Sequence, residues 1–193
     1  VDKIKKGHGK AKIVTATNVF AHIDNINEIV ELILELLADD GVFISESHYL
    51  LPLIETLQYD TIYHEHLRYY SLHSLKYLLE KHGLEIFHSK QIPTHGGSIR
   101  AYAARKGKYK VKDTAAKQLD KEKNVVLSKA SLLEFKKKVV LSKLELYSML
   151  LGIKQKGKRI YGIGAPSRAS TLINYVGIDD GIMDYVMEVK GSH

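Results

Sequence analysis

The sequence predicts an α/β fold: a mainly parallel sheet finished by an antiparallel hairpin, then a long helical region, then a second, partial strand–helix–strand unit. Three observations predict it. Short apolar runs at 11–16 and 41–47, the first with β-branched members, flank a segment whose apolar residues recur at helical spacing. Two more strand-like runs, 84–92 and 97–105, are separated by Pro93-Thr94-His95-Gly96, which suits a hairpin-like connection. The block from 158 to 189 repeats strand, helix, strand.

Taken in order, residues 11–16 (AKIVTA) read as a buried strand, followed by a polar and apolar loop over 17–22. Asp24 or Asn25 can cap a helix over 26–38, where Ile26, Ile29, Val30, Ile33, Leu34 and Leu37 fall on one face. Asp39-Asp40-Gly41 reads as the turn that ends it, and 41–47 as a second buried strand. Strand, helix, strand implies parallel pairing and a partial Rossmann-like sheet. Residues 50–70 are irregular and rich in aromatics and histidine; 71–82 read as an amphipathic helix capped by Ser71 and stopped by Gly83. An antiparallel hairpin closing a parallel sheet is, by fold-level analogy, the ending of a class I methyltransferase sheet.

Residues 106–112 form a basic, glycine-containing linker. From 113 to about 157 the apolar residues at 126, 130, 133, 140, 144, 147 and 151 favour helix, broken or bent once, with no chemistry in it. A strand over 158–163, a helix over about 168–175 and a strand over 182–189 start a second Rossmann-like unit. The expected division is therefore a first domain over 1–106, a linker and helical region over 107–157, and the start of a second domain over 158–190. Gly191-Ser192-His193 resemble the first residues of an expression tag.

The bulk properties bound the function. The chain has 193 residues, 45% of them apolar, enough for one good core or one domain with part of another. It has no run of about 18 apolar residues, so no membrane span is expected. Its charged start carries no secretory signal pattern, and it has no cysteine, which rules out disulfides and thiolate metal sites and fits the cytoplasm. Net charge is +7, much of the excess lying between 106 and 143, and reads as a solvated basic surface. No nucleic-acid reader motif accompanies it, so no nucleic-acid partner is expected. A phosphate ester needs only a few local cations.

The densest constellation is YDTIYHEHLRYY at 59–70. In an extended segment His64 and His66 project to one face and Glu65 to the other. Histidine exchanges a proton near neutral pH, a carboxylate can orient its ring, and tyrosine can donate to a developing oxyanion. A metal held by His64, His66 and His22 is the weaker reading, because H-x-H alone is a poor signal; none is expected. Gly162, Gly164 and Arg168 lie between a strand and a helix, where backbone N–H groups favour an anion. A third glycine at the dinucleotide spacing is missing, which disfavours NAD.

ATNVFAHIDN at 16–25, YDTIYHEHLRYYSLHSL at 59–75, HGGSIRAYA at 95–103 and YGIGAPSRASTLIN at 161–174 occur in that order. In these motifs the chain resembles the S-adenosylmethionine-dependent sugar C-methyltransferases, among them the deoxysugar 3-C-methyltransferases of antibiotic biosynthesis, over roughly residues 11–190. The resemblance implies methyl transfer to a carbon beside a ketone in a nucleotide-linked deoxysugar, after deprotonation to an enolate. It implies His66 as the base, with Glu65, Tyr63 and His22 in the active site. Asn18, Ser98, Arg100, Gly164, Ser167 and Arg168 are candidates for binding the substrate, Arg100 and Arg168 through phosphate. The family also has a zinc module and a glycine-rich donor loop with an acidic residue beyond it; neither is found here. The expectation is thus the C-terminal part of such an enzyme, inactive by itself, with S-adenosylmethionine the cofactor and zinc the concern of the missing module only. The alternative is a module that binds a nucleotide sugar without catalysis.

Overall fold

The computed structural model describes residues 1–164 and 166–188. The chain forms two compact units, one made of residues 1–56 and 65–131, the other of residues 57–64 and 132–193.

In the first unit, α1 (Asp2–His8) precedes β1 (Ala11–Thr17), and α2 (Ile26–Leu36) leads into β2 (Leu37–His48). β1 and β2 pair in parallel. α3 (Leu50–Glu55) and α4 (Leu72–Lys81) follow, then β3 (Leu84–Ile92) and β4 (Ser98–Arg105). β4 lies between β2 and β3 and is antiparallel to both, so the sheet order is β1-β2-β4-β3. This is a mixed α/β arrangement, a parallel pair closed by an antiparallel hairpin, as expected of a partial Rossmann-like sheet. α2 buries Ile26, Val30 and Ile33, the i, i+4, i+7 face that its spacing marks. The core gathers Phe20, Leu37, Phe43, Leu53, Leu75 and Ile99, with Phe20 and Phe43 stacked at 5.6 Å.

Four local expectations are corrected. The helix expected over 26–38 stops at Leu36, where Arg105 Nη2 donates to the Leu34 carbonyl at 2.8 Å. The strand begins at Leu37 and includes Asp39-Asp40-Gly41, which form no separate turn. Ala11 pairs with Leu37 but Ile13 with Val42, so three extra β2 residues bulge out, and Lys12 meets Asp40 at 2.5 Å. Gly41 is needed there because a Cβ would lie 2.9 Å from the Ala11 carbonyl oxygen. β1 is not buried: Ile13 is 63% exposed, and among the described residues β1 pairs only with β2. α3 forms within the segment 50–70 read as irregular; Pro52 fits the first turn of α3, where an N–H is dispensable.

Ser71 makes a full capping box with Ser74 at the start of α4, as its sequence suggests. The long helical region breaks once, into α5 (Asp113–Val125) and α6 (Lys129–Gln155). α5 drives Glu122 into the interior. Its fully buried carboxylate accepts from Tyr49 Oη at 2.7 Å, from the Leu72 and His73 N–H groups at 2.5 and 3.0 Å, and pairs with His73 Nδ1 at 2.5 Å. It thereby satisfies the orphan donors that open α4. Burial pushes the Tyr49 phenol well above its ordinary pKa, the adjoining carboxylate adding to the effect.

In the second unit, β5 (Tyr161–Ile163) and β6 (Tyr185–Met187) pair in parallel around α7 (Ser167–Val176). Both strands are three residues long, shorter than the 158–163 and 182–189 expected. Asp184 anchors the unit, accepting from the Ile160 N–H at 2.8 Å and Lys154 at 3.2 Å. The expected tag at 191–193 and the end of the last expected strand lie outside the described residues.

Candidate functional site

Because β1 and β2 are parallel, their C-terminal ends share one edge of the sheet, the edge where open α/β sheets bind ligands. Two loops meet there. The first, after β1, carries Asn18 and a 3₁₀ turn over Phe20–His22. The second is 65–70. Main-chain acceptors stitch them together: the Leu67 N–H donates to the Ala21 carbonyl at 2.8 Å, and Arg68 donates to the carbonyls of Ile23 and Asp24, the latter at 2.7 Å. Tyr70, bridged to Tyr49, fixes the far end of the second loop through its carbonyl, which accepts from the Leu50 N–H at 2.9 Å.

This stitching places the His22 and His66 rings 5.1 Å apart, edge to face. His22 Nδ1 lies 2.9 Å from the Glu65 carbonyl oxygen. A carbonyl can only accept, so Nδ1 carries the proton and neutral His22 keeps its lone pair on Nε2. The His48 ring, at the last position of β2, stacks 6.4 Å from that of His66; the Tyr69 ring stands edge-on 5.8 Å from it. His48 and Tyr69 escaped the sequence reading. The signal was available: His48 ends the second parallel strand at the edge to which His22 was assigned from the end of the first.

Residues 64–65 form a turn and not an extended segment, so the alternation expected for His64, Glu65 and His66 does not apply. The cause is the stitching to 21–24, which takes the loop out of any sheet register. The Glu65 side chain is exposed, and its main-chain carbonyl is the part that holds His22. Asn18 is exposed at the edge with φ 53°, its N–H donating to the Glu46 carbonyl at 2.9 Å.

Two substrate candidates are differently employed. Ser98 is fully buried, and its hydroxyl donates to the Thr94 carbonyl at 3.1 Å, so it does not face a ligand. Arg100 is paired with Glu46 at 2.7 Å, which holds its guanidinium still more firmly protonated and commits it to a cross-strand ion pair. Gly97, with φ 125°, is closely approached by a side chain: a Cβ there would lie 2.6 Å from Pro52 Cγ.

The second unit holds the remaining candidates. Tyr63 is half-buried, its ring edge-on to His64 at 6.3 Å. Gly164, with φ 78°, donates its N–H to the Met187 carbonyl at 2.8 Å. Ser167 is exposed at the first position of α7 and makes no side-chain cap. Arg168 grips Asp60 with two parallel bonds of 3.0 Å.

Among the described residues no group of three His, Cys, Asp or Glu is placed to ligate a metal, and no helix is long and apolar enough to cross a membrane. The edge can move a proton: paired imidazoles, one of fixed tautomer, stand beside a phenol.

Comparison with known proteins bears on this geometry. A family model described as the C-methyltransferase C-terminal domain matches residues 93–192, and one described as a methyltransferase domain matches residues 1–89. The C-methyltransferase NovU of Streptomyces niveus is 35% identical over 179 residues, which cover 92% of this chain and 43% of that protein. The chain thus spans less than half the length of this curated relative.

Proposed function

The chain belongs to the C-methyltransferases, and from that premise we propose that its histidine cluster prepares a sugar carbon for methylation. The acceptor is a nucleotide-linked deoxysugar with a ketone next to the reacting carbon. The observation that carries this reading is the pair His22 and His66 at the sheet edge, rings 5.1 Å apart. A neutral imidazole is matched to abstracting a weakly acidic C–H near pH 7.

His66 takes the proton from the carbon beside the ketone. The electron pair left behind forms the enolate, whose oxygen carries the negative charge until its carbon takes the methyl group and the ketone re-forms. Tyr63 donates a hydrogen bond to that oxygen. His22, held through Nδ1 by the Glu65 carbonyl, serves through Nε2 as the acceptor that orients or relays the proton. Glu65 acts through its main chain and, by its exposed carboxylate, on the sugar hydroxyls. Asn18, exposed at the end of β1, contacts the substrate from the other loop.

Methyltransferase families use S-adenosylmethionine, which when bound supplies the electrophilic methyl. The residues at this edge fit the acceptor better than the donor. Glu46, the carboxylate beside the end of β2, is committed to Arg100 and is not offered to a ribose. The chemistry assigned to this chain is accordingly the binding and deprotonation of the acceptor.

The test is His66→Ala in methyl transfer by the full-length enzyme. Turnover should fall about 10²–10⁴-fold with little change in affinity for the nucleotide sugar. Unchanged turnover would remove His66 as the base. The second reading, binding without catalysis, is favoured by the commitment of Glu46. Methyl transfer by the chain as it stands separates the two, and measurable turnover would exclude the binding-only reading.

A further inference from the structure

The GAPSR motif stands between a strand and a helix, with an arginine where a phosphate ligand would be expected. The geometry within the second unit gives Arg168 other work. Its Nε and Nη2 donate to Asp60 Oδ2 and Oδ1, each at 3.0 Å, in the planar fork that fits a carboxylate. One turn along α7, Thr171 Oγ1 donates to the Ile62 carbonyl at 3.1 Å. One further turn along, the Tyr175 ring meets Tyr59 edge to face at 5.5 Å, and Lys143 of α6 lies over the Tyr175 ring at 4.9 Å. Residues 168, 171 and 175 share one face of a helix. That face therefore grips Asp60, Ile62 and Tyr59 at three consecutive levels, and residues 59–61 are themselves a 3₁₀ turn.

We propose that Arg168 is a positioning residue: α7 clamps the 59–62 turn through it, and so fixes the residue that follows, Tyr63. The functional half rests on the reading of Tyr63 given above. Two observations weigh against a phosphate at this helix start. The Asp60 carboxylate, 2.8 Å from Arg168 Nη2, would repel an anion, and the Gly164 N–H is already spent on Met187. The clamp also accounts for spacing. A fork, a hydroxyl and a ring at i, i+3 and i+7 meet a segment only four residues long, so the backbone entering Tyr63 has little freedom.

The test uses Arg168→Lys, which keeps the charge and loses the fork, Asp60→Asn, the double variant, and the exchanged pair Asp60→Arg with Arg168→Asp. Amide exchange of 57–64 is followed in the full chain. Each single variant should speed exchange there about fivefold, as expected for one half-exposed ion pair, the double should add nothing more, and the exchanged pair should recover part of the protection. Inorganic pyrophosphate should not slow exchange at 57–64 or at the start of α7. In methyl transfer the same single variants should lower kcat with the KM for nucleotide sugar unchanged. Exchange unaffected by either variant would overturn the clamp and leave the transferase reading standing. So would protection by pyrophosphate that Arg168→Lys abolishes, or a raised KM at constant kcat. If the unsubstituted chain transfers no methyl group, as expected of a part inactive by itself, the kinetic comparison passes to the full-length enzyme and the exchange result alone decides the clamp.

Discussion

At the scale of single residues, the most exacting position is Glu122. A carboxylate with no solvent contact is tolerable only when its lone pairs are filled, and here a phenol, two backbone amides and an imidazole fill them. Glu122→Ala would leave those donors orphaned at the start of α4. The expected cost is about 3 kcal/mol, read from urea unfolding of the first unit. An unchanged midpoint would show that water replaces the carboxylate. The same residue illustrates where sequence reading stops. Glu122 sits among lysines in a helix without evident chemistry, and nothing local marks it as interior. Only the meeting of α5 with the start of α4, about 50 residues away in the chain, gives it partners.

At the scale of elements, the β3–α5 contact carries a pH dependence. His88 stacks on Tyr102 at 4.9 Å and shares a 2.7 Å hydrogen bond with Thr114 of α5. Desolvation lowers its pKa below 6.5, and Lys112 and Lys90 push it the same way. The unfolded imidazole therefore takes its proton first as the pH falls. Stability is fully present above pH 6.5 and declines as the pH drops from there towards the folded value. Urea unfolding between pH 7.5 and 5.5, compared with His88→Gln, should show a shallower slope in the variant; equal slopes would show that this contact does not titrate. Elements whose signals were local were legible: α2 from its apolar period, the Ser71 cap, the hairpin after Gly83 and the break before α6. Elements set by distant partners were not. The Asp39-Asp40-Gly41 stretch has the composition of a turn, yet pairing with β1 draws it into β2 as a bulge. The candidate site divides in the same way. His22 and His66 were legible because motif and strand order mark them. His48 was marked only by its place at the end of β2, and Tyr69 was not legible, because it becomes informative only when two loops are brought to one edge.

At the scale of the whole molecule, the question is which ligand the chain recognises. Glu46 and Arg100 neutralise one another across β2 and β4, and Asp60 neutralises Arg168 in the other unit. The charge that would meet a diphosphate must then come from the general basic excess of +7, a field that attracts anions without selecting among them. Calorimetric titration with dTDP-, UDP-, GDP- and CDP-sugars beside S-adenosylmethionine is expected to give heat for a nucleotide sugar and none for the donor. Donor binding in the absence of sugar would reverse the assignment of this chain to the acceptor. One detail of the loop stitching has a wider bearing. Ala21, Ile23, Asp24 and Glu65 each take part through a peptide oxygen, a group every amino acid possesses. Those four side chains can thus be exchanged without breaking the bonds that hold the paired rings: the sequence can drift at 21, 23, 24 and 65 along a lineage while the two imidazoles stay where they are.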